Sequence, residues 1–227
     1  MAIHPTRDLI RFAFHQFYNR FAFTYDTVSA IVSRGEWRVW TRAAIPFLRG
    51  KRILEIAFGT GNLHLDLYDA GYTPVGIDRS RQMHEITARK FRQRNITPRL
   101  ARADVHALPF PTHFFSSLVM TFPPGFVFDA EAMREMYRVL EPGGALVWVD
   151  GAYLEPTDLW ARLINQAFKL TGTRAPEDSW GRAFRAAAQA SVNWIWRVET
   201  IASPTSRVQV CIAFKETEPV HRKVGCS

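Results

Sequence analysis

Apolar runs of strand length alternate with longer stretches of helical period along most of this chain. Residues 6–24 open it with Ile10, Phe14, Phe17 and Phe21 at helical spacing and Arg7, Arg11 and Arg20 between them, the pattern of an aromatic-rich helix followed by a short hinge. A second helix is predicted over residues 28–41, with Trp37 and Trp40, before Pro46 marks the entry to the core. Strand and helix patterns then take turns: strand 52–57, helix 61–70 closed by Gly71, a strand from Pro74 to Asp78, and helix 81–94 capped by Ser80. A strand over 98–103 and another over 117–120 come next, the latter after a polar lead-in from His113. Asp129 caps a helix over 129–140 with Met133, Met136, Tyr137 and Leu140 facing inward. Pro142-Gly143-Gly144 reads as its turn, and residues 145–149 as a fifth strand closed by Asp150-Gly151. Residues 153–180, with Trp160, Phe168 and Trp180, read as an insertion, and a helix over 181–191 precedes two alternating runs, 197–203 and 207–215, separated by Pro204. Those runs predict an antiparallel hairpin.

Strands that alternate with helices predict an α/β fold with a doubly wound, mostly parallel sheet. Adding the hairpin gives seven strands, so the expectation is a Rossmann-like sheet with an antiparallel C-terminal hairpin and an N-terminal helical cap. The 227 residues, 47% of them apolar, suit one core: a cap over 1–45, a main domain over 46–218 with an insertion about 151–180, and a tail over 219–227. No apolar run approaches the roughly 18 residues of a membrane span. Arg7, Asp8 and Arg11 interrupt the first apolar residues, which is not a signal-peptide layout. The two cysteines, Cys211 and Cys226, make no disulfide framework, and the expected compartment is the cytoplasm.

Candidate chemistry begins at Glu55-Ile56-Ala57-Phe58-Gly59-Thr60-Gly61. An apolar run enters a Gly-x-Gly turn, where glycines permit positive φ and let backbone N–H groups approach a ligand. His64 stands three residues after Gly61, where dinucleotide-binding turns carry another glycine. Glu55, close to the end of the first strand, suits a ligand with ammonium or sulfonium charge better than a pyrophosphate. Asp78 lies 19 residues beyond Gly59, the distance at which an acid ending the second strand accepts ribose hydroxyls. Asp104 comes after the third strand. Three acids at the ends of three successive parallel strands point to one binding edge, because ligands sit outside the carboxyl ends of such strands.

In order and spacing the chain resembles the class I S-adenosylmethionine-dependent methyltransferases over roughly residues 47–150. Residues 53–63 are similar to their first motif and Gly76-Ile77-Asp78-Arg79-Ser80-Arg81-Gln82-Met83 to their second. Ala103-Asp104-Val105-His106-Ala107-Leu108-Pro109-Phe110 is similar to the third, and Arg138-Val139-Leu140-Glu141-Pro142-Gly143-Gly144 to the segment before their fifth strand. Within the superfamily, the branch of quinone and small-molecule methyltransferases is the nearest in pattern. The resemblance implies S-adenosylmethionine as cofactor and S-adenosylhomocysteine as product. It implies cofactor contacts from Glu55, Ala57, Gly59 and Gly61 in the first motif, from Asp78 to the ribose, from Arg79 beside it, and from Met83, Asp104 and Val105 to the adenine. Thr121 at the end of the fourth strand joins them. The Tyr25-Asp26 pair is similar to one that folds across the cofactor, which adds Tyr25. Met83 reads equally well as a core residue.

The net charge of +8 is concentrated: residues 79–102 alone carry +7, from seven arginines and Lys90 against Glu85. Two causes compete for this patch. Arginine near a helix C-terminus and on an edge strand serves the helix dipole and discourages strand pairing. Alternatively the edge docks an anionic membrane or RNA.

After the fourth strand the chain reads Thr121-Phe122-Pro123-Pro124-Gly125-Phe126. Amino-methyltransferases of nucleic acids present Asn or Asp before Pro-Pro, and Phe122 offers no such acceptor. Phe122, Phe126 and Phe128 instead suggest an apolar wall, either packing or an acceptor pocket. The expected enzyme is therefore a methyltransferase acting on a small apolar or aromatic acceptor, with quinone or lipid precursors favoured. An RNA methyltransferase and a non-catalytic cofactor-binding protein are the alternatives. His64, His106 and His113 are candidate bases by residue type and expected position. No metal-ligand spacing is present, and the pattern leaves the catalytic residue and the oligomeric state undefined.

Overall fold

The computed structural model describes residues 25–123, 125–156, 158–171 and 179–216. The predicted helix over 6–24 and the tail over 219–227 lie outside the described residues. Seven strands form one sheet: β1 (Arg52–Ile56), β2 (Thr73–Asp78), β3 (Arg99–Arg102), β4 (Phe115–Thr121), β5 (Leu140–Leu154), β6 (Trp194–Ala202) and β7 (Ser206–Lys215), in the order β3-β2-β1-β4-β5-β7-β6. The first five run parallel, and β7 is antiparallel to both β5 and β6. Strand order reverses between β1 and β4, so the crevice at their carboxyl ends is the expected ligand site.

The helices are α1 (Tyr25–Val32), α2 (Trp37–Arg42), α3 (Asn62–Asp69), α4 (Arg81–Gln93), α5 (Ala130–Val139), α6 (Leu159–Thr171) and α7 (Ser179–Gln189). Strand alternation divides the core into two layers. Leu54, Ile56, Leu118, Met120, Leu146 and Trp148 meet Met133 and Met136 of α5 and Ala183 and Ala186 of α7 on one face. Ile53, Val119, Val147 and Val149 meet Leu63 and Leu67 of α3, Trp40 of α2 and Ala161 of α6 on the other. Both caps read from the sequence hold: Ser80 accepts from the Met83 N–H, and Asp129 from those of Glu131 and Ala132.

Three expectations need correction. The helix predicted over 28–41 is two helices, because Arg34 and Gly35 take φ of 56° and 85° and the Gly35 N–H closes the first helix on Ala30 O at 2.7 Å, a glycine-ended C-cap. The Ser33 hydroxyl then accepts the Trp37 N–H at 2.9 Å and starts the second. The fifth strand does not stop at Asp150-Gly151. Its ladder with β7 shifts register between Val149 and Gly151 and continues until Leu154 faces Ser206, so a bulge, not a strand end, lies there. Residues 151–154 accordingly belong to the sheet rather than to an insertion, and α6 is the next regular element after them.

Among the described residues no helix is long and apolar enough to cross a membrane. The buried Lys215 donates at 2.7 Å to the carbonyls of Tyr137 and Leu140, supplying partners that the end of α5 lacks.

Candidate active site

The turn after β1 is held from both sides. Ala57, Gly59 and Gly61 have φ of 57°, 56° and 76°, a conformation that costs a residue with a Cβ about 1–2 kcal/mol. Ala57 bears that strain, and its N–H reaches Ile77 O at 2.8 Å, fastening the turn to β2. A Cβ on Gly61 would fall 2.3 Å from Thr87 Cγ2, so glycine is required there by contact as well as by φ. Thr87 of α4 also donates to Gly59 O at 3.0 Å.

Asp78, at the end of β2, joins this turn to the next. Its Oδ2 accepts the Gly59 N–H at 2.9 Å and its Oδ1 the Ser80 N–H at 2.8 Å. Asp78 therefore holds the two loops together at the carboxyl end of β2. Beside it, Arg79, Arg102, Ala103 and Asp104 line an open depression of about 350 Å³. A second hollow of about 330 Å³ lies among Arg52, Thr73, Arg99 and Phe114, at the amino ends of the strands and away from these acids.

Asp104 is tied down. His106 Nδ1 lies 2.6 Å from its Oδ1, and the His106 backbone N–H donates to the same oxygen at 3.1 Å. Arg79 stands 3.4 Å from its Oδ2. Asp129 lies 3.6 Å from His106 Nε2. The imidazole hydrogen bond, then the backbone one, holds the Asp104 carboxyl below its ordinary range, and the same imidazole bond raises the His106 ring.

Of the other predicted contacts, Val105 is buried behind Asp104, and Thr121 ends β4 half-buried. Met83 is completely buried against Phe58, the core placement rather than an open wall. Glu55 is not free at the edge: it is buried, with Oε2 2.7 Å from His64 Nδ1. Burial raises its carboxyl above the usual range, and the His64 hydrogen bond opposes that rise. The Glu55 carboxyl thus has a hydrogen-bond partner inside the protein.

The histidine expectations change with these contacts. His64 is sealed against Glu55 and Phe91, and His106 is held by acids on both ring nitrogens. His113 is exposed before the amino end of β4, the opposite end of the sheet from Asp78. None of the three stands at the strand ends as an unengaged base. Buried Cys211 has its thiol pushed far up by desolvation, which keeps it inert.

Two features escape sequence reasoning. Asp26 of α1 accepts from the Thr60 hydroxyl at 2.6 Å and the Asn62 amide at 3.0 Å, and Lys90 of α4 reaches it at 2.6 Å. The glycine turn is therefore clasped by both helices. The Tyr25-Asp26 pair drew attention to this place, but nothing in the chain's order names Lys90 as its partner. Secondly, the aromatic wall splits in two. Phe122, at φ 48°, stacks on Trp37 with centroids 4.7 Å apart and planes 26° apart. Phe126 and Phe128 pack on the opposite face of the sheet, where Arg182 lies 4.0 Å over Phe128.

The parallel sheet with its antiparallel hairpin, the glycine turn and the acids at successive strand ends make a Rossmann-like α/β domain with one candidate binding edge. Residues 53–144 match the family model described as "Methyltransferase domain". A demethylmenaquinone methyltransferase of Thermus thermophilus is 38% identical over 129 residues, which cover 54% of this chain and 59% of that one. A ubiquinone/menaquinone biosynthesis C-methyltransferase, UbiE, of Pectobacterium carotovorum is 33% identical over 132 residues, 54% of this chain and 53% of the relative. The match thus spans between a half and three-fifths of these curated relatives. Among solved structures, a protein of Methanococcus maripaludis provisionally assigned as an S-adenosylmethionine-dependent methyltransferase aligns at TM-score 0.65 and 18% identity, over 88% of this chain and 94% of that one. Geranyl diphosphate methyltransferase in complex with S-adenosylmethionine aligns at 0.56 and 15%, over 78% and 85%. At such identities the structural matches establish the fold.

The groups at the strand ends fit S-adenosylmethionine: carboxylates that could accept from hydroxyl and amine groups, an open depression beside them, and a backbone turn without side chains at Gly59 and Gly61. When bound, S-adenosylmethionine supplies an activated methyl group on a sulfonium.

Proposed function

We propose that this protein transfers a methyl group from S-adenosylmethionine to a small apolar or aromatic acceptor, with a quinone or lipid precursor favoured. The observation that carries the reading is the Trp37–Phe122 stack. It stands immediately after Thr121, at the carboxyl end of the strand that pairs with β1, and it offers a planar apolar acceptor a ring to lie against. The names of the curated relatives support the same acceptor class. Because the sulfonium is already activated, the chain's work is to align two reactants and exclude water. With His64, His106 and His113 all unsuited as bases, the reading favours an acceptor whose own ring substituents activate it.

The charged edge finds a place in this proposal. Arg79, Arg81, Lys90 and Arg94 pair with Asp104, Glu85, Asp26 and Asp69. Arg89, Arg92, Arg99 and Arg102 have no carboxylate partner among the described residues. These four suit peripheral contact with an anionic bilayer that holds an apolar acceptor. The RNA reading rests on these same arginines alone.

The test uses cofactor carrying a labelled methyl group, incubated with the protein and cell extract, with products divided into organic, small aqueous and RNA fractions. The proposal expects label in the organic phase. Label in RNA contradicts it, and tight cofactor binding without label in any fraction favours the non-catalytic alternative.

A further inference from the structure

The acid predicted to recognise adenine is not an isolated side chain. Asp104 lines the depression with Arg79, Arg102 and Ala103, and one of its oxygens is taken. Oδ1 receives two donors from a single residue, the His106 ring at 2.6 Å and the His106 backbone at 3.1 Å. Oδ2 is on the side of Arg79, itself a lining residue, at 3.4 Å. The far ring nitrogen of His106 is 3.6 Å from Asp129, and Asp129 is fixed as the N-cap of α5. A chain of contacts therefore runs from the start of α5 through an imidazole to a carboxylate at the wall of the depression.

A carboxylate on a loop rotates about χ2 unless something holds one oxygen. Two donors on Oδ1 do that, and they leave Oδ2 as the oxygen able to meet a ligand. Such support for a contacting residue from a hydrogen-bonded neighbour is how binding sites keep their geometry. The aromatic and apolar residues of the same loop do not offer this, since Val105 and Leu108 are buried in the core.

We propose that His106 is the positioning residue of the adenine subsite: anchored by Asp129, it fixes Oδ1 of Asp104 so that Oδ2 faces the depression and accepts the exocyclic amine of the cofactor's adenine. The inference rests on the reading of this edge as the S-adenosylmethionine site with Asp104 as the adenine acceptor. Selectivity for adenine over a purine with a carbonyl at that position then depends on a residue that does not touch the cofactor. A carbonyl oxygen aimed at Oδ2 would meet an acceptor instead of finding a donor.

Calorimetric titration with S-adenosylhomocysteine and with its inosine analogue, which has a carbonyl in place of the amine, tests this. His106→Asn keeps a donor near the position of Nδ1, whereas His106→Gln moves the donor toward Nε2 and His106→Leu removes it. The expected result is a preference for the adenine compound that survives in His106→Asn and falls roughly tenfold in His106→Gln and His106→Leu, a step of about 1.4 kcal/mol. Affinity for the inosine compound should stay within about twofold throughout. An unchanged preference in His106→Gln and His106→Leu overturns the proposal, as does an equal loss for both compounds, which marks a merely structural role. Should His106→Leu fail to fold, the Asn and Gln pair carries the comparison. Asp104→Asn separates the two levels: if it leaves the preference intact, the assignment of Asp104 to adenine fails as well, whereas loss of preference there with none in His106→Gln refutes only the role of His106.

Discussion

Lys90 Nζ donates to Asp26 Oδ2 across 2.6 Å, joining α4 to α1 over the turn that both helices flank. Thr60 and Asn62 bond to the same aspartate, so one carboxylate ties α1 to the glycine turn. Both partners are partly exposed, which limits the ion pair itself to a modest contribution.

Replacing Asp26 by Ala is expected to lower stability by about 1 kcal/mol, a fall of roughly 2–4 °C in Tm for a chain of this size. Affinity for S-adenosylhomocysteine should fall several-fold, because Thr60 and Asn62 lose the acceptor that orders them. Lys90→Ala should reproduce part of this, and the double variant should lose less than the two singles together. Thermal melts and calorimetry on the four proteins check it. Strict additivity would show that the clasp does not act as a unit.

Gly61→Ala should be far more damaging than an ordinary loop substitution. The new Cβ would sit 2.3 Å from Thr87 Cγ2 at φ 76°. Overpacking and backbone strain together should cost about 2–4 kcal/mol, measured by urea unfolding. A loss under about 0.5 kcal/mol, the range of neutral surface changes, would mean that the turn moves freely away from α4.

The bond between Asp104 and His106 has a pH window. The imidazole is raised above its ordinary 6.5 by that bond, so the stability it adds is complete below 6.5 and is lost as pH rises through the higher folded value. The carboxyl is lowered below 3.8, so its share is present above 3.8 and is lost as pH falls through the lower folded value. Histidine ring NMR should therefore give His106 a midpoint above 6.5, moving down toward it in Asp104→Asn. A midpoint that ignores the substitution would show that Asp104 is not the cause. Exposure of both side chains makes the effect on global stability small.

Much of this fold was legible because the parallel strands, buried on both faces, are short continuous apolar runs that end in residues with recognisable chemistry. Asp78 and Asp104 fell where parallel strands of that length had to stop, and Ser80 and Asp129 marked helix starts. Features that could not be read depend on distance in sequence. Glu55 looked like a ligand contact until His64 met it across the core, and a separation of nine residues does not reveal which way either side chain turns. Lys90 and Asp26 are separated by 64 residues, and no local pattern links them. The extension of β5 past Asp150 was hidden for the same reason, since its partner strand, β7, lies far along the chain. Phe122 at positive φ and the break at Arg34 violate residue preference, and local pattern reading follows preference.

The cofactor site is tested most directly by titration of S-adenosylhomocysteine into the wild-type protein and into Asp78→Ala. Asp78 is the acid that joins Gly59 to Ser80 and is read as the ribose acceptor. The expected result is one site per chain in the wild type and affinity at least roughly tenfold weaker in the variant, the loss of about 1.4 kcal/mol or more that accompanies removal of a charged hydrogen-bond acceptor. Equal affinity in the two proteins, or no binding to the wild type, would contradict the assignment.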